Sequence, residues 1–204
     1  MMISRAPYWL DSMTVAEFED LIESLPTPVF ERLPRRSKAN REWRNLPMFR
    51  DVFDQLCNML GTLPTQDFYA GYYFAMVVEQ AKIWDKTGNE IILRAKRNYP
   101  SFIREYHLYL LLKESFPYCD VIYTYELDDQ GLDFMILHEG RPYGIRSYMN
   151  DEQLRRKVRY VHGDKQWHFP VLNITVDGGK VVNNIWLYSD YHMELVEQML
   201  REGY

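Results

Sequence analysis

The chain has 204 residues, of which 47% are hydrophobic and 15% aromatic, so it can bury a sizeable core and is not a largely disordered protein. Its formal net charge of -5 argues against a surface coated in Lys and Arg for tight non-specific nucleic-acid binding, but it allows local basic patches. This length fits one sizeable domain, or a core with a helical extension.

Cysteine usage and hydropathy indicate the compartment. Cys57 and Cys119 stand far apart and match no metal-binding or redox spacing, so we expect reduced thiols. No apolar run approaches the roughly 18 residues of a membrane helix. The first residues also lack the apolar stretch of a secretory signal. The sequence therefore predicts a cytoplasmic protein without membrane contacts.

Helical signals dominate residues 1–100. Thr14 and Glu17 form a capping-box pattern, and apolar residues follow at helical spacing, which predicts a first helix near 14–25. Three prolines then interrupt the periodicity over 26–46, so an extended connector is expected there.

Two further helices are predicted in this region. One spans about 47–60, with Pro47 in its first turn and Gly61 as its stop. The other spans 65–86, and its apolar residues cover more than one side, which is typical of a helix buried on several faces. Gly88 is expected to end it.

Residues 101–204 combine a helix with strand-like runs. Residues 90–98 fit a short helix or a strand, and Ser101 then caps a helix that begins after Pro100. The short connections that follow predict three antiparallel strands, then a helix, two strands joined at an Asp-Gly-Gly hairpin turn, and a last helix. These segments are 119–127, 132–138, 142–148, 151–161, 169–176, 181–189 and 191–203.

This order of a helix, three strands, a helix and a further strand resembles the core of the PD-(D/E)XK nuclease superfamily. The resemblance covers roughly the C-terminal half of the chain. It implies an α+β fold in which a helical N-terminal region, residues 1–100 with a basic connector at 26–46, precedes a restriction-endonuclease-like αβββαβ core with a mixed sheet at 101–204.

The resemblance also implies catalytic residues. In the superfamily a glutamate on the first helix, an aspartate at the start of the second strand and an acid-x-lysine pair on the third strand collect one or two divalent cations. Glu105 and Asp133 stand at the first two places. The third strand ends in Arg146, Ser147 and Tyr148 instead, and a guanidinium cannot replace a carboxylate as a metal ligand because it has no available lone pair.

One interpretation is that the missing groups have moved to the next helix. The metal ligands would then be Asp133, Asp151 and Glu152, and the cation would be Mg²⁺ or Mn²⁺. Glu105, Asp133 and Lys157 would be the catalytic residues of a divergent metal-dependent endonuclease, a hydrolase of phosphodiester bonds.

The second interpretation is a pseudoenzyme, a nuclease-fold module that binds nucleic acid or a protein partner without cutting. Arg146 would then pair with Asp133 or Glu105 in place of the metal. Each residue also has an ordinary structural role, because Glu105 fits the polar face of a helix, Asp133 a turn, and Lys157 a solvated helix face. An unrelated α+β domain is the third alternative.

Basic residues are segregated in this acidic chain, which favours nucleic acid as a partner, DNA rather than RNA. Cations on a connector can follow a phosphate backbone, and an aromatic ring among them can stack on a base, although a solvated linker is the alternative. The predicted nucleic-acid-binding residues are Arg32, Arg35, Arg36, Lys38, Arg41, Trp43, Arg44, Arg146, Arg155 and Arg156.

Tyrosine is abundant, with 16 residues, several of them at 69–73 and 123–125. Most are expected to bury the ring in the core and to leave the hydroxyl at its edge. Any that stay exposed would suit an interface, so a homo-oligomer or a subunit of a complex is a further alternative.

Overall fold

The computed structural model describes residues 6–29, 46–83, 88–129, 131–150 and 167–203. Over these ranges the protein is a mixed α+β fold, with helices in the N-terminal half and strands in the C-terminal half. The coarse fold class predicted from the sequence is therefore confirmed. None of the helices in these ranges has the length and hydropathy needed to span a bilayer.

Most helices follow one another up to residue 115, a short one lies between the first two strands, and one more comes near the end of the chain. A 3-10 helix covers Tyr8–Ser12. The α-helices are α1 (Val15–Ser24), α2 (Phe49–Leu60), α3 (Gln66–Ile83), α4 (Gly88–Ser115), α5 (Tyr125–Asp129) and α6 (Asp190–Glu202).

The strands form a four-stranded sheet and a separate two-stranded hairpin. They are β1 (Asp120–Ile122), β2 (Phe134–His138), β3 (Arg141–Tyr148), β4 (Val171–Thr175), β5 (Lys180–Val182) and β6 (Ile185–Leu187). The order in the larger sheet is β1-β2-β3-β4, with β1, β2 and β3 antiparallel in turn. This confirms the predicted antiparallel meander. β4 is parallel to β3, so the chain crosses over between them.

Local signals set the ends of α1 and α2. The Thr14 hydroxyl accepts from the Glu17 amide at 3.2 Å while the Glu17 carboxylate accepts from the Thr14 amide at 2.8 Å, so the predicted capping box is confirmed. Gly61 ends α2 with φ 66, a left-handed conformation that glycine adopts without strain. Pro47 lies outside the first turn, because Met48 is the N-cap of α2.

The predicted helix start at Ser101 is wrong, because α4 continues through Pro100. A proline inside a helix has no N–H for the carbonyl four residues earlier. That carbonyl belongs to Lys96, and it accepts a hydrogen bond from Nε2 of Gln66 at 3.0 Å. A buried side chain of α3 thus replaces the missing donor, and α4 crosses the predicted boundary between residues 100 and 101.

Other boundaries also differ from the sequence prediction. Gly88 begins α4, whereas it was expected to end α3. The segment 119–127 forms the short strand β1 and then enters α5. The hairpin turn lies at Asn183 and Asn184, with φ 44 and 64, so the predicted strand 181–189 is split in two. Asparagine tolerates this left-handed conformation, which a two-residue type I′ turn requires.

The core is continuous around α4, which packs against α1, α2, α3, β1, β6 and α6. Aromatic rings fill its helical side. The ring of Phe53 has four aromatic neighbours at centroid distances of 5.1 to 5.8 Å, namely Tyr69, Tyr99, Phe102 and Tyr106. The prediction that most clustered tyrosines are core residues holds for Tyr69, Tyr73 and Tyr123, whereas Tyr125 is 38% exposed.

A buried histidine joins α1 to α4. Nε2 of His107 lies 2.8 Å from Oε1 of Glu19, and Nδ1 of His107 is buried without a hydrogen-bond partner in the described part of the chain. Glu19 also pairs with Lys180 of β5 at 2.6 Å. Burial lowers the pKa of His107, and Glu19 opposes that effect without cancelling it.

This histidine predicts a loss of stability in mild acid. Its pKa is lower in the folded protein than the ordinary value of about 6.5, so the unfolded chain takes up the proton first and the free energy of unfolding falls below that pH. Urea unfolding measured on both sides of this value should show the fall. His107→Gln should flatten it, whereas His168→Gln, at an exposed site, should not.

The titration of the Glu19 carboxylate does not interfere with this measurement. Its hydrogen bond with His107 lowers its pKa, so it loses its charge only in stronger acid. A slope that survives in His107→Gln would contradict the assignment.

Candidate functional site

Glu105 lies on α4 and is held by a cation from α2. Nη1 of Arg50 lies 2.5 Å from Oε2 of Glu105, and the hydroxyl of Tyr123 donates to the same oxygen at 3.0 Å. Every hydrogen bond that the described residues make to Glu105 falls on this one oxygen. The Glu105 side chain is 23% exposed, so this carboxylate is at the edge of the core with its charge already compensated.

Arg50 is the centre of a buried network. Its Nε donates to Oδ1 of Asp54 at 2.6 Å, and the Tyr106 hydroxyl donates to the same oxygen at 2.6 Å. Another guanidinium nitrogen donates to the Tyr123 hydroxyl, and the guanidinium carbon lies 4.7 Å from the centre of the Tyr106 ring. Burial opposes the charge of Arg50, but Asp54 and Glu105 outweigh it and hold the pKa well above its ordinary value.

Asp133 lies at the start of β2 and is fixed by the end of β3. Its Oδ2 accepts hydrogen bonds from the backbone N–H of Ser147 at 2.5 Å and from the Ser147 hydroxyl at 2.8 Å. The backbone N–H of Asp133 donates to the Ile145 carbonyl at 2.9 Å. The carboxylate is therefore half-buried and oriented by the backbone of the neighbouring strand.

The charges of the two predicted catalytic carboxylates influence one buried phenol. Tyr188 follows β6 and is 1% exposed. Its pKa is raised, mainly by burial, and the charges of Asp133 and Glu105 add to the shift while Ser147 and Arg104 oppose it. Both carboxylates thus raise the pKa of the same hydroxyl.

Arg146 does not pair with either carboxylate. It is 8% exposed, its Nε donates to the Gly131 carbonyl at 2.7 Å, and its guanidinium carbon lies 5.8 Å from the centre of the Trp167 ring. The predicted ion pair of Arg146 with Asp133 or Glu105 is therefore wrong, and Arg50 is the partner of Glu105. Such burial is also at odds with a phosphate contact by Arg146.

Among the described residues, no group of three His, Cys, Asp or Glu side chains could hold a metal ion. Ser147 contacts Asp133 from β3, the strand on which the sequence resemblance would place a second acid. The remaining predicted site residues lie outside the described ranges: Arg32, Arg35, Arg36, Lys38, Arg41, Trp43, Arg44, Asp151, Glu152, Arg155, Arg156 and Lys157.

Sequence reasoning found Glu105 and Asp133 but missed the residues that hold them. The spacing of Arg50 and Asp54, four residues apart on a predicted helix, was a local signal for an ion pair. No sequence signal connects Arg50 with Glu105, because these residues belong to different helices.

No model of a known protein family, no curated protein and no solved structure matches the chain.

Replacing Arg50 with Met should destabilise the protein by about 3–5 kcal/mol, because Asp54 and Glu105 would keep their charges in a buried site without the cation. The free energy of unfolding in urea measures this. The control is Arg201→Met, which breaks an exposed ion pair with Glu197 and should cost less than about 1 kcal/mol. Equal small effects for both variants would show that the buried network contributes little.

Proposed function

We propose that the chain is a divergent PD-(D/E)XK-like protein that binds nucleic acid, DNA in preference to RNA, without cutting it. The topology supports the relationship: α4 precedes an antiparallel β1-β2-β3 meander, and a crossover leads to β4, which lies parallel to β3. Asp133 at the start of β2 and Glu105 on α4 are the two residues that match the superfamily pattern.

The ion pair between Arg50 and Glu105 is the observation that favours binding over cleavage. A carboxylate whose oxygen accepts from a buried guanidinium at 2.5 Å has its charge neutralised where a divalent cation would need it. β3 adds no carboxylate and no lysine near Asp133. The helix glutamate therefore serves the fold in this proposal.

Cleavage is the second candidate, and the orientation of Asp133 favours it. The backbone and hydroxyl of Ser147 fix this carboxylate, as the ligands of a preorganised metal site are fixed. Mg²⁺ needs only one or two protein carboxylates and completes its shell with water and substrate phosphate. Asp133, Asp151 and Glu152 would hold it, with Lys157 beside the phosphate. The ion would supply Lewis-acid polarisation of the phosphoryl group.

A charge-only substitution separates the two candidates. If the protein binds without cutting, supercoiled DNA, single strands and RNA stay intact in Mg²⁺ or Mn²⁺, and Asp133→Asn leaves DNA affinity within about twofold, since an uncharged amide oxygen still accepts from Ser147. Metal-dependent nicking that Asp133→Asn abolishes would overturn the proposal in favour of cleavage. Asp120→Asn, at an exposed carboxylate at the start of β1, is the matched control.

The basic connector gives a second test. Replacing Arg35 and Arg36 with Ala should weaken DNA binding and reduce the slope of log affinity against log salt by about 2, because each phosphate contact contributes about 1. Fluorescence anisotropy with a labelled duplex over a salt series measures this. Arg141→Ala with Arg201→Ala removes the same charge from exposed sites and should leave the slope unchanged. Equal effects of both double variants would mean that the connector has no special role.

A further inference from the structure

α3 carries exposed apolar residues in addition to the apolar residues that face the core. Tyr69, Tyr73 and Val77 are buried, whereas Phe68 and Met76 are 52% and 42% exposed. A helix that is apolar all round is normally covered on all sides. The sequence predicts such burial for this helix, yet the described part of the chain leaves one side of it open.

The exposed side continues onto the end of α2. Met59 and Leu60 are 65% and 44% exposed, and the hydroxyl of Tyr72 lies 3.7 Å from the Met59 sulfur, which joins the two helices. We call this surface the α2–α3 face and define it by Met59, Leu60, Phe68, Gly71, Tyr72 and Met76.

We infer that the α2–α3 face is a homodimer interface, in which the α3 helices of two copies cross antiparallel at Gly71 and Tyr72. The face is suited to a contact with itself. In a two-fold interface both subunits use the same surface, so an apolar face is complementary to its own copy. None of the six residues of the face is charged, the flanking Asp67 is already paired with Lys96 at 2.6 Å, and Glu79 lies one turn beyond Met76.

Spacing and size support the antiparallel crossing. Phe68 and Met76 lie one turn on either side of Tyr72, so antiparallel helices that cross here place Phe68 of one copy beside Met76 of the other. A Cβ added at Gly71 would meet nothing within 4 Å, which leaves room for the partner helix to approach closely. Small residues at a crossing point allow such an approach.

The exposed apolar area is comparable with the apolar centre of a standard dimer interface. At about 200 Å² for each large side chain, Met59, Leu60, Phe68 and Met76 expose roughly 400 Å², half of the ~800 Å² that each partner of a standard interface buries. The apolar centre of an interface is surrounded by a polar rim, which supplies the rest.

Light scattering after size exclusion of the full chain, over a wide range of protein concentration, tests the inference. The wild type should have the mass of a dimer. Gly71→Gln should halve the mass without loss of helix content, since glutamine is a better helix former than glycine and fits the isolated chain. Phe68→Gln, at a half-exposed site, should do the same. Tyr118→Gln, a 63% exposed tyrosine outside the face, should remain a dimer.

A wild type that stays monomeric at every concentration overturns the inference, and so does a dimer that survives both Gly71→Gln and Phe68→Gln. The orientation is tested by disulfide cross-linking in a Cys119→Ser background. A mixture of Phe68→Cys and Met76→Cys chains should cross-link several times more than either variant alone. Equal cross-linking of each variant with itself contradicts the antiparallel crossing.

Discussion

The buried guanidinium of Arg50 is the interaction on which the arrangement of the helical layer and the sheet depends. Removing a cation from water costs several kcal/mol, so it is stable in the core only where acceptors surround it. Asp54 on α2 and Glu105 on α4 supply the charge, and Tyr123, just after β1, supplies a hydroxyl. Three elements must therefore come together in one geometry, and the side chain of Glu105 is fixed by folding itself.

The helical layer also depends on α3, which holds neighbouring segments through the uncharged side chain of Gln66. The Gln66 amide bonds Lys96 beside the proline of α4, and its oxygen accepts from the Val29 amide at 2.9 Å. The Tyr73 hydroxyl, two turns further along α3, donates to the Pro47 carbonyl at 2.8 Å. The same helix thus keeps α4 continuous and anchors the chain at Val29, within the basic connector, and at Pro47, just after it. The two anchoring side chains of α3 are about 10 Å apart along its axis.

The sequence was informative where a signal is local. The capping box of Thr14, the left-handed Gly61 and the antiparallel meander all follow from residues that are close in the chain. A helix that continues through Pro100 could not be predicted, because the compensating donor is 34 residues away. The turn at Asn183 was a local signal that was missed, since an apolar pattern on both sides suggested one strand. Arg50 and Glu105 are 55 residues apart, so no local sequence signal could predict their ion pair.

Glu105 and Asp133 therefore differ in whether the fold requires the carboxylate to be charged. Glu105 needs its charge, because it faces a buried cation, and a neutral amide at this place would leave Arg50 with one anion. Asp133 uses its Oδ2 as an acceptor from Ser147, a task that an uncharged amide oxygen also performs. In the proposed function, the neutralised Glu105 favours binding over cleavage, and Asp133 is the position at which a change of charge alone distinguishes the two.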